Sequence, residues 1–203
     1  MGDTCWRDIQ NFPEFVVART RGQVRSDGVC ISNNLNWIVV SKCNSFRQFV
    51  IASLDLVEET FTQLSMPCGF DEVYLEVPIE ELYVFLGVLM DCLCISYDDF
   101  NKGTNFVVWQ MKEFGVQKSW TKLLNVSYHD LQLDCKLGKR GHRLSLFPLR
   151  MYKNGDFVIT VVHYHHFEAI MYNQRDNRVK HFKTKSMNWI FETDYIESLV
   201  SPL

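Results

Sequence analysis

The sequence lacks the features that mark a secreted, membrane-spanning or nucleic-acid-binding protein. It has an odd number of cysteines, seven in 203 residues, and no charged-then-apolar leader precedes them, so a secreted disulfide framework is not expected. The longest apolar runs, Phe85 to Met90 and Phe157 to Val162, fall far short of the roughly 20 residues of a membrane-spanning helix. Charge of one sign is also missing, because the formal net charge is -3. We expect no membrane segment, no nucleic-acid partner and a reducing compartment, the cytoplasm or nucleus.

Helix signals are scarce, whereas strand signals dominate. Short runs of β-branched or aromatic residues bounded by turn residues predict strands over Leu35 to Ser41, Val50 to Leu56, Thr60 to Met66 and Phe106 to Met111. No segment shows the sustained 3.6-residue apolar period of a long helix. A helical turn or two is expected at most in Ser127 to Leu133, Ile79 to Tyr83 and Asp194 to Leu199.

Two β-hairpins are predicted in the second half of the chain. Asn154-Gly155 separates Leu149 to Lys153 from Asp156 to Val162, and this dipeptide readily takes the positive φ values of a two-residue type I′ turn. Tyr172 to Phe182 is predicted to form another hairpin, with the polar residues Arg175, Asp176 and Asn177 at its turn.

Aromatic or apolar strand starts recur along the chain at Trp6, Phe61, Trp120 and Val179, at intervals of 55, 59 and 59 residues. Each of the last three follows an extended segment across a polar turn, so we expect them to begin equivalent strands. Four strands per unit at this period is the arithmetic of a β-propeller. The fold prediction is an all-β, partial β-propeller-like (kelch-like) domain of three to four antiparallel sheets with few short helices, in one domain over residues 1–203.

Several motifs in order resemble the F-box-associated domain (type 1) of plant F-box proteins. They are Trp6-Arg7-Asp8-Ile9, Gly28-Val29, Leu35-Asn36-Trp37, Ile51 to Leu56 with Glu58 to Phe61, Leu86-Gly87, Leu93 to Ile95, Val108 to Gly115 with Ser119 to Lys122, and Tyr195 to Pro202. The resemblance covers nearly the whole chain.

The resemblance implies a substrate receptor of a Skp-cullin-F-box ubiquitin ligase. In that family an N-terminal F-box docks on a Skp-type adaptor of the ligase, and the associated domain captures the protein to be ubiquitinated. No Leu-Pro-type F-box opening or Arg-Cys-Val-type closing segment is found in this sequence. We therefore expect an N-terminally truncated form of the domain, which contacts the adaptor and cullin only if an F-box lies upstream.

Catalytic chemistry is not expected, because the local signatures of hydrolase, P-loop, zinc-protease and EF-hand sites are missing. Alternation in a strand would place His163 and His165 on one face, beside His166, but no further metal ligand is evident. Cys92 and Cys94 share a strand face in the same way, and we interpret them as buried apolar thiols. The sequence predicts no metal and no cofactor. Its five tryptophans fall in or beside predicted strands and are expected to fill the core between sheets.

The preferred partner-binding segment is Lys136 to Arg143, which holds four Lys or Arg residues, two glycines and His142. Such a loop can bind an acidic peptide or phosphate through charge-assisted hydrogen bonds, although it also fits a plain solvated connection. The predicted contact residues, which also include two of the histidines, are Lys139, Arg140, His142, Arg143, His163 and His165.

Two other functions stay open from the sequence. A propeller-type enzyme or a carbohydrate- or small-ligand-binding module would need polar and ionisable groups that converge in one concave pocket. A non-functional remnant would leave strand edges unpaired, and these edges would favour aggregation.

Overall fold

Three antiparallel β-sheets follow one another along the chain. The computed structural model describes residues 15–17, 28–43, 46–70, 84–99, 105–133, 144–163 and 166–183. Sheet 1 contains β1 (Phe15–Val17), β2 (Val29–Ile31), β3 (Asn34–Cys43), β4 (Phe46–Asp55) and β5 (Phe61–Ser65). Sheet 2 contains β6 (Val84–Leu89), β7 (Cys92–Asp99), β8 (Asn105–Met111) and β9 (Trp120–Ser127). Sheet 3 contains β10 (Ser145–Met151), β11 (Asp156–His163), β12 (His166–Asn173) and β13 (Arg178–Lys183).

Sheets 2 and 3 are four-stranded meanders, in which each strand pairs with the next one along the chain. Sheet 1 has the same plan, because β1 and β2 both pair with the edge of β3 that β4 leaves open. Val17 lies opposite Val39, and Val29 lies opposite Asn36, so the two short strands together occupy one strand position. The predicted all-β class and the antiparallel sheets are confirmed.

The aromatic repeat marks the same position in all three sheets. Phe61 begins β5 and Trp120 begins β9, while β13 begins at Arg178, one residue before Val179. Each of these strands is the last and outermost of its sheet. The prediction that these positions begin equivalent strands is confirmed, and the copy at Trp6 lies outside the described residues.

The four strands predicted from short apolar runs correspond to β3, β4, β5 and β8. No predicted end extends beyond the observed strand by more than one residue, and β3 and β4 are longer than predicted. The hairpin with the turn Gln174 to Asn177 is also present between β12 and β13. Of the three predicted helical turns, only Ser127 to Leu133 lies in the described part. There the Leu131 amide donates to the Ser127 carbonyl at 3.1 Å, which closes a single turn.

The hairpin at Asn154-Gly155 is confirmed, but its predicted turn type is wrong. Gly155 has φ +88, whereas Asn154 is not among the residues with positive φ. The Tyr152 amide donates to the Asp156 carbonyl at 2.8 Å, and the Gly155 amide donates to the Tyr152 carbonyl at 2.9 Å. This is the pattern of a three-residue loop with glycine at its bulge position, so only one residue needs positive φ.

Two-residue turns with positive φ occur instead at two unpredicted positions. Ser32 and Asn33 have φ 50 and 59 between β2 and β3, and Met90 and Asp91 have φ 50 and 57 between β6 and β7. Both values fit a type I′ turn, whose twist matches that of the flanking strands. Residues other than glycine therefore adopt the positive φ that was predicted for Asn154.

Two hydrophobic clusters join the sheets, and sheet 2 contributes to both. The first contains Ile51 and Leu64 of sheet 1 with Ile95 and Met111 of sheet 2. The second joins sheet 2 to sheet 3 through the side chains of Phe106, Val108, Leu124, Leu146, Phe157, Ile159 and Ile170. Because alternate residues of a strand point to opposite faces, the central strands of sheet 2 are buried on both sides.

Candidate interaction surface

The predicted basic segment connects sheet 2 to sheet 3. Lys139, Arg140, His142 and Arg143 lie outside the described residues, and so does His165. The described residues on either side are fixed in the second core cluster, where Leu131 is fully buried and Leu144 nearly so. The segment is therefore flanked on both sides by residues of the core.

The topology brings the end of this segment to the hairpin that carries the histidines. Ser145, the first residue of β10, lies opposite Val162 in β11. Arg143 precedes Ser145 by two residues, and His163 follows Val162 directly. Ser145 and Val162, the described neighbours of the two predicted groups, thus lie at the same end of sheet 3.

β11 ends at His163 and β12 begins at His166, and these two residues are partners across the hairpin. Because His165 lies outside the described residues, the shared strand face of His163 and His165 stays a prediction. Within the ranges described, no three His, Cys, Asp or Glu residues are grouped as a metal site.

Cys94 is a structural thiol. Its side chain is fully buried between sheets 2 and 3, and burial raises its pKa to about 12. It lies opposite Gly87 on β6, where an added Cβ would overlap with the Phe85 ring. A protonated thiol in an apolar environment is unreactive, which agrees with the interpretation of Cys94 from the sequence. Cys92 is only half-buried, so the interpretation as a buried thiol is wrong for that residue.

Tryptophans connect and cover the sheets. The indole of Trp120 is buried, and its Nε1 donates to the Ser65 carbonyl at 3.0 Å, which joins sheet 2 to sheet 1. Trp109 donates from Nε1 to the Tyr97 hydroxyl at 3.2 Å within sheet 2. Gly28 leaves room for Trp37, since a Cβ on Gly28 would lie 2.7 Å from the Trp37 Nε1 atom. Packing therefore accounts for these three indoles.

A shallow cavity of about 460 Å³ lies where the turn after β9 meets the β12–β13 turn. Its described lining residues are His129, Asp130, Gln132, Leu133 and Asn177. The Ser127 hydroxyl donates to Asp130 at 2.7 Å and is the main reason that the pKa of Asp130 is lowered. The ionised carboxylate accepts this hydrogen bond and so stabilises the turn after β9.

The cavity does not show the convergence that the enzyme or carbohydrate-binding alternative needs. Its described lining contains one histidine, one carboxylate and no aromatic ring. Tyr172 lies near it, and its pKa is raised chiefly by burial and then by the charge of Asp130. The Tyr172 hydroxyl lies 3.0 Å from the Asn177 side-chain oxygen, to which it donates. No described group at this cavity is placed as an acid, base or sugar-stacking platform.

The exposure of apolar side chains at the turns was not predicted from the sequence. In the described ranges the exposed large hydrophobic residues are Leu56, Val57, Met90, Val116, Tyr152 and Phe182. The first five lie in turns between strands, and only Phe182 lies within a strand. The available signal was an apolar residue beside turn-forming acids, as in Asp55 to Glu58 and Met90-Asp91.

The family described as "F-box associated beta propeller domain" matches residues 2–202. Among curated proteins, the chain is 34% identical over 123 residues to "F-box/kelch-repeat protein At3g23880" of Arabidopsis thaliana, a match that covers 60% of this chain and 29% of the relative. It is 33% identical to "F-box protein At4g22390" of the same plant, over 50% of this chain and 23% of the relative.

"F-box protein CPR1" of Arabidopsis thaliana is 30% identical over 105 residues, which are 50% of this chain and 23% of that relative. The chain thus matches less than a third of the length of each of these relatives. In the part of the chain that the structure covers, no helix has the length and apolarity to cross a bilayer.

Proposed function

The chain belongs to the family of F-box associated beta propeller domains, and from that premise we propose that it captures a target protein for ubiquitin-dependent degradation. The observation that carries this proposal is the family match over residues 2–202, on a scaffold of three sheets joined by two cores. The three relatives whose names contain "F-box" support it. A Skp-type adaptor and a cullin are partners only of a protein that also carries an F-box.

The proposed mechanism is positioning and not catalysis. Buried strands hold the connecting turns in place, and a stable complex of this kind buries roughly 1,200 to 2,000 Å² in total. The buried thiol of Cys94 and the carboxylate of Asp130, which is occupied by Ser127, support a role without chemistry. We place this function in the cytoplasm or nucleus, where the exposed free thiols of Cys30 and Cys68 are kept reduced.

The proposed contact site for the target is the end of sheet 3 that the basic segment and the histidine hairpin both approach. Lys139, Arg140, His142 and Arg143 would supply cations or hydrogen-bond donors, and His163 and His165 would supply imidazoles. Their chemistry fits an acidic or phosphorylated segment of the target. The pairing of Ser145 with Val162 supports this site, because these residues are the described neighbours of the basic segment and of His163 at one end of sheet 3.

Affinity purification from plant extract tests the function. This chain is compared with a version that carries an appended family-type F-box, and co-purified proteins are identified by mass spectrometry. We expect both versions to retain the same non-ligase protein and only the extended version to retain the adaptor. If neither version retains a specific protein, the capture function is wrong.

Charge reversal tests the contact site in the same purification. Lys139→Glu, Arg140→Glu and Arg143→Glu together are expected to weaken target retention by about tenfold or more, since charge-assisted contacts are lost and repulsion is added. The matched control reverses two exposed lysines on the outermost strands, Lys122 and Lys180. Equal retention by both variants would move the contact site elsewhere on the domain.

A further inference from the structure

Five of the six large hydrophobic residues that are exposed in the described ranges lie in turns of one topological class. In each four-stranded meander, the turns after the first and third strands lie at one end of the sheet, and the turn after the second strand lies at the other. Leu56 and Val57 follow β4, Met90 follows β6, Val116 follows β8, and Tyr152 follows β10. All five therefore lie at the same end of their own sheets, which we call the turn end.

The first strands of neighbouring sheets, which lead into the turn ends, lie side by side. In sheet 1 the Leu56 amide donates to the Asn33 carbonyl at 2.9 Å, so its two turns at this end are in direct contact. The first strands touch in succession, β2 with β6 and β6 with β10. Phe85 and Phe147, near the starts of β6 and β10, have ring centroids 5.5 Å apart. These two strands thus start on the same side and deliver Met90 and Tyr152 to the same side.

The backbone at the turn end of sheet 1 is held rigidly. Asp55 Oδ1 accepts hydrogen bonds from the Val57 amide at 2.8 Å and the Glu58 amide at 2.9 Å. The Asp55 amide in turn donates to the Thr60 carbonyl at 2.9 Å. Val57 stays 70% exposed within this bonded turn. Val57 is therefore exposed in a turn whose backbone is held by hydrogen bonds.

The turns of sheets 2 and 3 are fixed in a similar way. Ser119 Oγ lies 2.7 Å from the Val116 carbonyl and 2.9 Å from the Glu113 carbonyl, and it also accepts from the Glu113 amide at 3.1 Å. The buried side chain of Gln110 donates to the Leu89 carbonyl at 2.9 Å, directly before Met90. The Arg150 guanidinium lies 5.2 Å from the centroid of the Tyr152 ring. Hydrogen bonds or ring contacts thus hold the turns that carry these exposed apolar side chains.

Charge at the turn end changes sign from sheet 1 to sheet 3. The β4–β5 turn contains three carboxylates and no cation, at Asp55, Glu58 and Glu59. In the turns of sheet 3 and the strand ends beside them, the cations Arg150, Lys153, Arg175 and Arg178 outnumber the carboxylates Asp156 and Asp176. Met90 and Val116 belong to sheet 2, between this basic side and the acidic turn that carries Val57.

We propose that the turn end is a docking surface for an extended protein segment that carries apolar side chains between a basic end and an acidic end. The basic end would lie over the turn of Glu58, and the acidic end over the turns of sheet 3. Ordered apolar side chains that are clustered at one side of a domain are typical of protein contacts, and their fixed backbone lowers the entropic cost of binding. This inference rests on the proposed function only in that the domain binds protein.

Selection from a phage-displayed library of linear peptides on the immobilised wild-type chain tests the surface. We expect enriched peptides with apolar residues between a basic end and an acidic end. Val57→Lys and Tyr152→Ser are expected to weaken these peptides by about tenfold each, because apolar anchors dominate such contacts. Phe182→Lys is the matched control, since Phe182 is exposed to a similar degree but lies outside the turns, and it should leave affinity unchanged.

A charge reversal at Glu58 tests the orientation separately. Glu58→Lys should weaken peptides with a basic end over this turn and favour peptides that are acidic at both ends, because the turns of sheet 3 stay basic. All variants are first shown to have the circular dichroism spectrum and thermal midpoint of the wild-type chain.

The outcomes separate the docking surface from the proposed function. Peptides that bind equally well to the turn variants and to the wild-type chain would overturn the docking surface and leave target capture standing. If no peptide is enriched above an unrelated folded protein, the docking surface is also overturned, and target capture is then decided by affinity purification alone.

Discussion

Sheets 2 and 3 have similar strands but different burial. In β7 of sheet 2 every residue from Leu93 to Asp99 is buried, because sheet 1 covers one face and sheet 3 the other. In β11 of sheet 3 Phe157, Ile159 and Val161 are buried, whereas Val158 and Thr160 between them are only half-buried. The position of a sheet in the stack, and not the composition of its strands, decides whether one face or both are buried.

The largest expected difference between the two sheets is in the stability lost when a large side chain is removed. Phe106→Ala on sheet 2 removes a fully buried ring from the core shared with sheet 3 and should lower the free energy of unfolding by about 3–5 kcal/mol. Val158→Ala on the half-buried face of sheet 3 should cost only about 1 kcal/mol. Urea denaturation of both variants measures this, and equal losses would contradict the difference in burial.

A buried hydrogen bond within sheet 2 and the turn that follows it, beside the core shared with sheet 3, extends the contrast. The Tyr128 hydroxyl donates to Asp98 Oδ1 at 2.7 Å, with both residues buried. Tyr128→Phe should cost about 1.5–3 kcal/mol, because the acceptor is a carboxylate. Tyr172→Phe is the control, since its hydroxyl donates to the neutral Asn177 side chain, and it should cost about 0.5–1.5 kcal/mol. The reverse order in denaturation experiments would show that Asp98 is satisfied without Tyr128.

The junction of sheets 1 and 2 is expected to depend less on one bond. Trp120→Phe removes the indole donor to the Ser65 carbonyl and part of the buried ring, so we expect a loss of about 1–2 kcal/mol. Trp109→Phe removes a bond that stays within sheet 2 and should cost less. Thermal unfolding of both variants compares them. A larger loss at Trp109 would mean that the bond between the sheets contributes little.

The smallest effect is expected outside the cores, at the turn of Asp55. The amides of Glu58 and then Val57 lower the pKa of Asp55 below 3.8. A lowered pKa means that this carboxylate stabilises the fold above the unfolded pKa and loses that contribution as the pH falls through the folded value. Asp55→Ala should lower the thermal midpoint slightly at pH 7, and the gap to wild type should narrow as the pH falls below 3.8.

Glu58→Ala keeps both hydrogen bonds to Asp55 and serves as the control for this pH series. Its midpoint should follow that of the wild-type chain throughout. A gap for Asp55→Ala that does not narrow as the carboxylate is protonated in acid would contradict a role of the ionised carboxylate.

The sequence predicted the repeat more accurately than the details of the turns. Phe61 and Trp120 could be aligned because a strand that begins with an aromatic residue after a polar turn leaves a local pattern. The turn at Asn154-Gly155 was assigned the wrong type, because loop length depends on where the strands separate, and this is set by pairing across the hairpin. Met90-Asp91 has positive φ without a glycine, so composition did not reveal it.

The candidate surfaces were predictable to different degrees. The charges of Lys139 to Arg143 are visible in the sequence, so a basic contact segment could be proposed from it, and that site stays a prediction. The exposure of Val57 and Tyr152 was not visible, because an apolar residue next to a strand can point into the core or into solvent. That choice depends on how the sheets stack.

The sequence by itself determined the all-β class, the strand period and the family, because strand alternation, turn residues and the order of short motifs are local properties of the chain. Tertiary structure alone decided that sheet 2 is buried on both faces, that Trp120 joins it to sheet 1, and that five apolar side chains stay exposed at the turn end. The physical reason is that burial is shared between segments distant in sequence. A side chain loses contact with water only when another sheet covers it.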